Sequence, residues 1–236
     1  MLALNRHDMS LEERFAPLEA DQARFVSKVY NGLTITLAIA ATSCIIAFKI
    51  FERMPSRDVY AIWNILRFVE IGLLLVTWFV RMKGVLGWAW LALFVSLTGV
   101  TLAPILMVYV DPRVAGPGTV AAALVLTGVI FLTLTAYVRF SGKDFSYLRG
   151  FLFITTLGLC LVGLMTWFFP MPNVSYWMAW VGAAIFCAWI LYDTSAVTRV
   201  HYPNNNVVGA ITELYTDILN LFLFLLRILS GSRSRD

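Results

Sequence analysis

VVGAITELYTDILNLFLFLLRIL, residues 207–229, is the stretch that decides the fold. It has the length of a bilayer span, since a transmembrane helix takes about 20 mainly apolar residues. Its only charges are Glu213, Asp217 and Arg227. At about 100° per residue, Glu213 lies about 40° from Asp217, Asn220 about 60° away and Arg227 about 80° away. A helix that is lipid-like on most sides and polar along one stripe belongs in a membrane, with the stripe turned toward protein.

Similar runs precede it at 29–48, 59–80, 85–110, 119–140, 148–169 and 174–197. The chain of 236 residues is 60% hydrophobic and 14% charged, with a mean hydropathy of +0.78, whereas a soluble domain is charged at about a quarter of its positions. The expected architecture is all-α: a polytopic membrane protein whose seven transmembrane helices occupy 29–229, after a polar tail at 1–28 and before a short polar tail at 230–236. Turn chemistry separates the runs at Pro55, Asp111-Pro112, Pro117-Gly118, Ser141-Gly142, Pro170-Met171-Pro172 and Pro203 with Asn204 to Asn206. Such short connections make neighbouring helices antiparallel. Trp78, Trp88, Trp167 and Trp177 flank two of the breaks, as headgroup-level rings do. Pro104 lies within the third run and predicts a kink there.

The tail at 1–28 mixes acids and bases without an apolar core, so it does not read as a signal peptide. Cys44, Cys160 and Cys187 are scattered through apolar runs and read as small buried residues. No phosphate loop, nucleophile motif or metal cluster appears, and no basic patch suits nucleic acid. His201, in the polar 6–7 connection, is expected to be a solvent-exposed turn residue. Ten basic residues fall on the side of the N-terminus and the 2–3, 4–5 and 6–7 connections, against six on the other. That bias predicts a cytoplasmic N-terminus. Seven spans place the C-terminal tail outside, and a re-entrant last helix keeps it inside.

Charges within apolar runs each cost on the order of 3 kcal/mol at mid-bilayer and are expected to face the protein interior in pairs. Glu70 and Arg81 share an azimuth about 16 Å apart on helix 2, and Asp217 and Arg227 lie about 15 Å apart on helix 7. These matched, complementary separations predict a buried Glu70–Arg227 contact and an Arg81 that reaches a carboxylate at the cytoplasmic side. Arg67, one turn from Glu70, is a competing partner. The midpoint between Asp193 and Asp217 is residue 205, in the asparagine turn, so a helical hairpin sets the two aspartates level. Spacing fixes their height and leaves their facing open. Facing carboxylates in a low dielectric cannot both ionise easily, so they share a proton and titrate as a pair. Protonated, such a pair bridges helices 6 and 7; ionised, it repels, and recruits Arg81 or a divalent cation.

At these residues the sequence resembles the Bax inhibitor-1 family, the transmembrane Bax inhibitor motif proteins, in its bacterial branch. The likeness is carried by Ile190-Leu191-Tyr192-Asp193 and by Glu213-Leu214-Tyr215-Thr216-Asp217-Ile218-Leu219-Asn220-Leu221-Phe222, continuing to Leu225-Leu226-Arg227. Thr98 to Pro104, Lys143 to Leu148 and the Glu70 to Arg81 spacing add to it. The resemblance implies a seven-helix fold with helix 7 central, a pH-sensitive Ca²⁺ leak, and roles in calcium homeostasis and stress response at the bacterial inner membrane. It also implies that Asp193 and Asp217 are the pH-sensing pair, that Arg81 is a latch of the closed state, and that Glu70 and Arg227 belong to the buried charged network. Glu213 and Arg67 depart from the family pattern and, with Asn220, are accessory candidates.

The first functional expectation is thus a Ca²⁺-permeable channel or leak gated by protonation of the aspartate pair. Its ligands are protons and Ca²⁺, permeant or weakly held at Asp193 and Asp217; its surroundings are the lipid bilayer, and it has no cofactor. The alternative is a modulator of a membrane-bound protease or another membrane partner, acting through the N-terminal segment. An enzyme is not expected: Leu214-Tyr215-Thr216-Asp217 lacks the Gly-x-Gly-Asp of two-aspartate intramembrane proteases.

Overall fold

The computed structural model describes residues 20–79, 84–169 and 171–233. Each apolar run becomes a helix: α1 Ala20–Phe51, α2 Ser56–Phe79, α3 Gly84–Val110, α4 Pro117–Ser141, α5 Arg149–Phe168, α6 Pro172–Ala196 and α7 Val207–Arg233. No strand occurs among the described residues. Among the described residues six stretches, 20–51, 84–110, 117–141, 146–166, 173–201 and 207–231, are long and apolar enough to cross a membrane. The remaining helix, α2, carries Arg57, Asp58, Arg67 and Glu70. The chain is therefore an integral, multi-pass, all-helical membrane protein. Large apolar side chains such as Ile35, Leu132, Ile154 and Phe168 stand more than half exposed, a surface suited to lipid rather than water.

The helix ends follow local chemistry. Gly116 takes a positive φ of 83° just before Pro117, and proline suits the first helical turn because its missing N–H would be unpaired there anyway. At the other end of α4, Gly142 takes φ 59° and donates its N–H to the Val138 carbonyl, closing the last turn. Helix α1 starts at Ala20 rather than Val29, so it carries Arg24 and Lys28 of the expected tail. In α3 the helix runs through Pro104 without interruption. One turn before that ring, which removes a backbone donor and crowds the preceding carbonyls, the Thr101 carbonyl accepts Trp63 Nε1 of α2 at 3.0 Å.

The broadest packing pairs are α1 with α3 and α6 with α7; α7 also packs on α4, α1 and α3. Helix α2 packs on α3, and α5 on α6. Backbones cross closely where side chains are smallest. A Cβ on Gly99 would come within 2.4 Å of the Ala40 carbonyl oxygen, so glycine sets the α1–α3 distance. Between α3 and α7, Tyr215 is buried; its hydroxyl bonds Thr98 Oγ1, and its ring meets Phe94 edge to face at 6.2 Å.

Candidate functional site

The α6–α7 connection builds the site. Helix α6 ends in a widened π-turn, Val197–His201, in which Tyr202 N–H reaches back to the Val197 carbonyl at 3.0 Å. Asn204 Nδ2 donates to the Val200 carbonyl at 2.7 Å. Asn205 then adopts a left-handed φ of 47°, which asparagine tolerates better than most residues. Asn206 Oδ1 accepts the Gly209 N–H at 3.1 Å and caps α7. The chain thereby reverses around residue 205.

This reversal brings Asp193 and Asp217 together. Both are 4% exposed, and their side chains lie within hydrogen-bonding reach of each other. Ionised carboxylates only accept, so a bond between two carboxyl groups contains a proton held by one of them. Oδ2 of Asp217 is buried and has no hydrogen-bond partner among the described residues. Calcium takes about six to eight oxygen ligands, more than this pair offers. No group of three or more His, Cys, Asp or Glu residues is placed to hold a metal ion among the described residues.

Two further contacts at this end are absent from the sequence reading. His201 is 5% exposed and bonds Glu213 Oε2 through Nε2 at 2.6 Å, while the Glu213 side chain remains 48% exposed. The expectation of a solvent-exposed histidine is corrected: the π-turn rotates the end of α6 and carries the imidazole inward against α7. A signal was available, because the mirror at residue 205 that levels 193 with 217 sets 201 beside 209, one turn from Glu213. The second contact is an ion pair from Arg199 to Asp144, which ties the end of α6 to the α4–α5 connection.

The Glu70–Arg227 contact expected from matched spacing does not form. Glu70 accepts a hydrogen bond from Thr101 Oγ1 of α3 at 2.6 Å, and Arg227 lies on an exposed face of α7. Residue spacing sets heights along the two helices but not which faces meet, and α3 is the helix against which α2 packs. Arg67 does not compete for Glu70 either: its guanidinium lies 4.7 Å from the Trp63 ring centre and donates to Asn64 Oδ1 at 3.3 Å. Asn220 donates to the Thr216 carbonyl of its own helix at 2.8 Å. Arg81, the expected latch, lies outside the described residues.

Comparison with known proteins places these residues in a wider group. The family described as "Inhibitor of apoptosis-promoting Bax1" matches residues 22–235. A membrane protein of Vibrio cholerae is 37% identical over 151 residues, 64% of this chain and 66% of that one. Mouse "Protein lifeguard 4" is 39% identical over 112 residues, 48% of this chain and 47% of its own length. The vaccinia virus "Golgi anti-apoptotic protein" is 33% identical over 213 residues, 89% of this chain and 86% of that protein.

Proposed function

This chain belongs to the Bax inhibitor-1 family, and on that footing we propose that it is a Ca²⁺-permeable leak gated by protonation of Asp193 and Asp217. The observation that carries the reading is the buried contact between these carboxyl groups across α6 and α7. Sharing a proton, they hold the two helices together. When it leaves, two like charges stand in contact in a low-dielectric site, and the repulsion drives α6 and α7 apart. Helix α7 is the central element of the bundle in this reading, because a shift of α7 reaches α1, α3, α4 and α6 at once. Calcium is the cargo, drawn by the carboxylates and passing without a fixed cage.

The orientation proposed is N-terminus cytoplasmic in a bacterial inner membrane, which puts the α6–α7 turn on the cytoplasmic side. Arg81 is the proposed latch, recruited by the ionised pair. No catalytic step is assigned. The test is Ca²⁺ flux into proteoliposomes across a pH series. The parent protein shows a pH-dependent flux that Asp193→Asn and Asp217→Asn flatten; profiles identical to the parent in both variants refute the sensor role.

A second reading is a modulator of membrane partners without conductance; the vaccinia relative is named for an anti-apoptotic role. Because α1 starts at Ala20, removal of residues 1–19 leaves every described helix whole. Loss of a co-purifying membrane protease on that deletion, with flux unchanged, selects this second reading.

A further inference from the structure

Threonine hydroxyls in this bundle have a regular habit. In a helix such a hydroxyl settles on the carbonyl three or four residues back. Thr98 bonds the Val95 carbonyl at 2.8 Å, Thr127 the Ala123 carbonyl at 2.7 Å and Thr212 the Val208 carbonyl at 2.8 Å. Thr135 of α4 and Thr194 of α6 depart from it. Their Oγ1 atoms are buried and make no hydrogen bond among the described residues, and Thr194 as a whole is 9% exposed. Neither hydroxyl serves the backbone of its own helix.

The two residues meet at one place. Helices α4 and α6 pack together, and the Tyr30 hydroxyl of α1 stands close to both threonine side chains without a well-directed bond to either. Tyr30 is itself half-buried against the main core. Three helices therefore present three hydroxyls to one another, at the end of the bundle where α4 and α6 finish and α1 begins. Thr194 follows Asp193 directly, so these hydroxyls lie at the height of the aspartate pair.

The chemistry of the three groups decides what they can take. Each hydroxyl both donates and accepts, and none carries a charge. A calcium ion needs about six to eight oxygen ligands, more than three hydroxyls supply. A buried water makes about three hydrogen bonds and mixes donors with acceptors, as these groups do. Burying a hydroxyl without a partner loses its hydration for no return, and a bridging water repairs that loss for all three residues at once.

We propose that Tyr30, Thr135 and Thr194 bind an ordered water molecule between α1, α4 and α6. The site joins three helices through one hydrogen-bonded point, and it stands whether or not the aspartates gate a flux. Under the gating role proposed above, it brings water inside the bundle to the height at which the pair sits.

The test is radiolytic hydroxyl-radical labelling of the full chain in lipid nanodiscs, read residue by residue by mass spectrometry. Radiolysis turns a bound water into a radical where it sits, so Tyr30 is oxidised faster than its half-buried ring alone allows. Thr135→Val and Thr194→Val keep the side-chain shape and remove the hydroxyls, and together they lower the Tyr30 rate several-fold. Thr135→Ser with Thr194→Ser returns the hydroxyls and restores it. Tyr147, 74% exposed, is the internal reference and keeps its rate in every variant. A Tyr30 rate equal in the parent and the double valine variant, with Tyr147 unchanged, overturns the water site.

A second measurement needs no substitution. After brief mixing with heavy-oxygen water, Tyr30 takes up less of the label than Tyr147, because a bound water exchanges more slowly than bulk water. Equal uptake at both tyrosines overturns the site. Neither readout is a flux, so a Ca²⁺ flux indifferent to Asp217→Asn refutes the gate and leaves the water site standing, whereas loss of the site by either readout leaves the gate untouched.

Discussion

The α6–α7 hairpin and helix α2 both carry carboxylates inside apolar helices, and they settle them in different ways. In the hairpin, Asp193 and Asp217 face each other across a turn of only a few residues, and His201 faces Glu213 nearer its tip. In α2, Glu70 bonds a threonine hydroxyl of the next helix in the chain. A carboxylate held by a neutral donor is fixed in place, whereas a carboxylate against another is poised between two states. On the proposed reading, the α2–α3 contact contributes stability and the α6–α7 contact is the switch.

The comparison breaks most visibly at the hairpin. Asp217→Asn replaces a titrating contact with a permanent neutral one and removes the pH dependence of Ca²⁺ flux, the largest effect expected. On the α2 side the effects are in stability, read by unfolding in detergent micelles. Thr101→Val leaves the Glu70 carboxylate in a partly buried site without its donor and costs about 1–3 kcal/mol, with the pH dependence of flux retained. Tyr215→Phe removes the bond to Thr98 that joins α3 to α7 and costs about 1 kcal/mol. Arg227→Gln, at an exposed position of α7, changes stability by less than about 0.5 kcal/mol. A large loss at Arg227 would restore the Glu70–Arg227 pairing that the spacing suggested.

These contrasts show what the sequence could disclose. Apolar runs and their Pro, Gly and Asn breaks placed the seven α-helices of the described residues, because a bilayer demands long apolar segments and backbone chemistry decides where they stop. The level of Asp193 and Asp217 was legible because a short turn converts spacing into height and neighbours in the chain into neighbours in space. Glu70 was misassigned for the converse reason. Nothing in the period of α2 tells which of the other described helices its polar face meets, and a neighbour in the chain, α3, took it through Thr101. His201 reads as part of an exposed connection because it follows the last apolar run of α6, whereas a π-turn carries the helix on through it and brings the ring inward.

The central claim, that Asp193 and Asp217 hold one proton between them and release it as a unit, is tested most directly by infrared difference spectroscopy of the reconstituted protein across pH. The account predicts a protonated-carboxyl band that fades as pH rises, in step with the change in Ca²⁺ flux, and that is lost or displaced in both Asp193→Asn and Asp217→Asn. A band that keeps its position and its midpoint in both variants would contradict it.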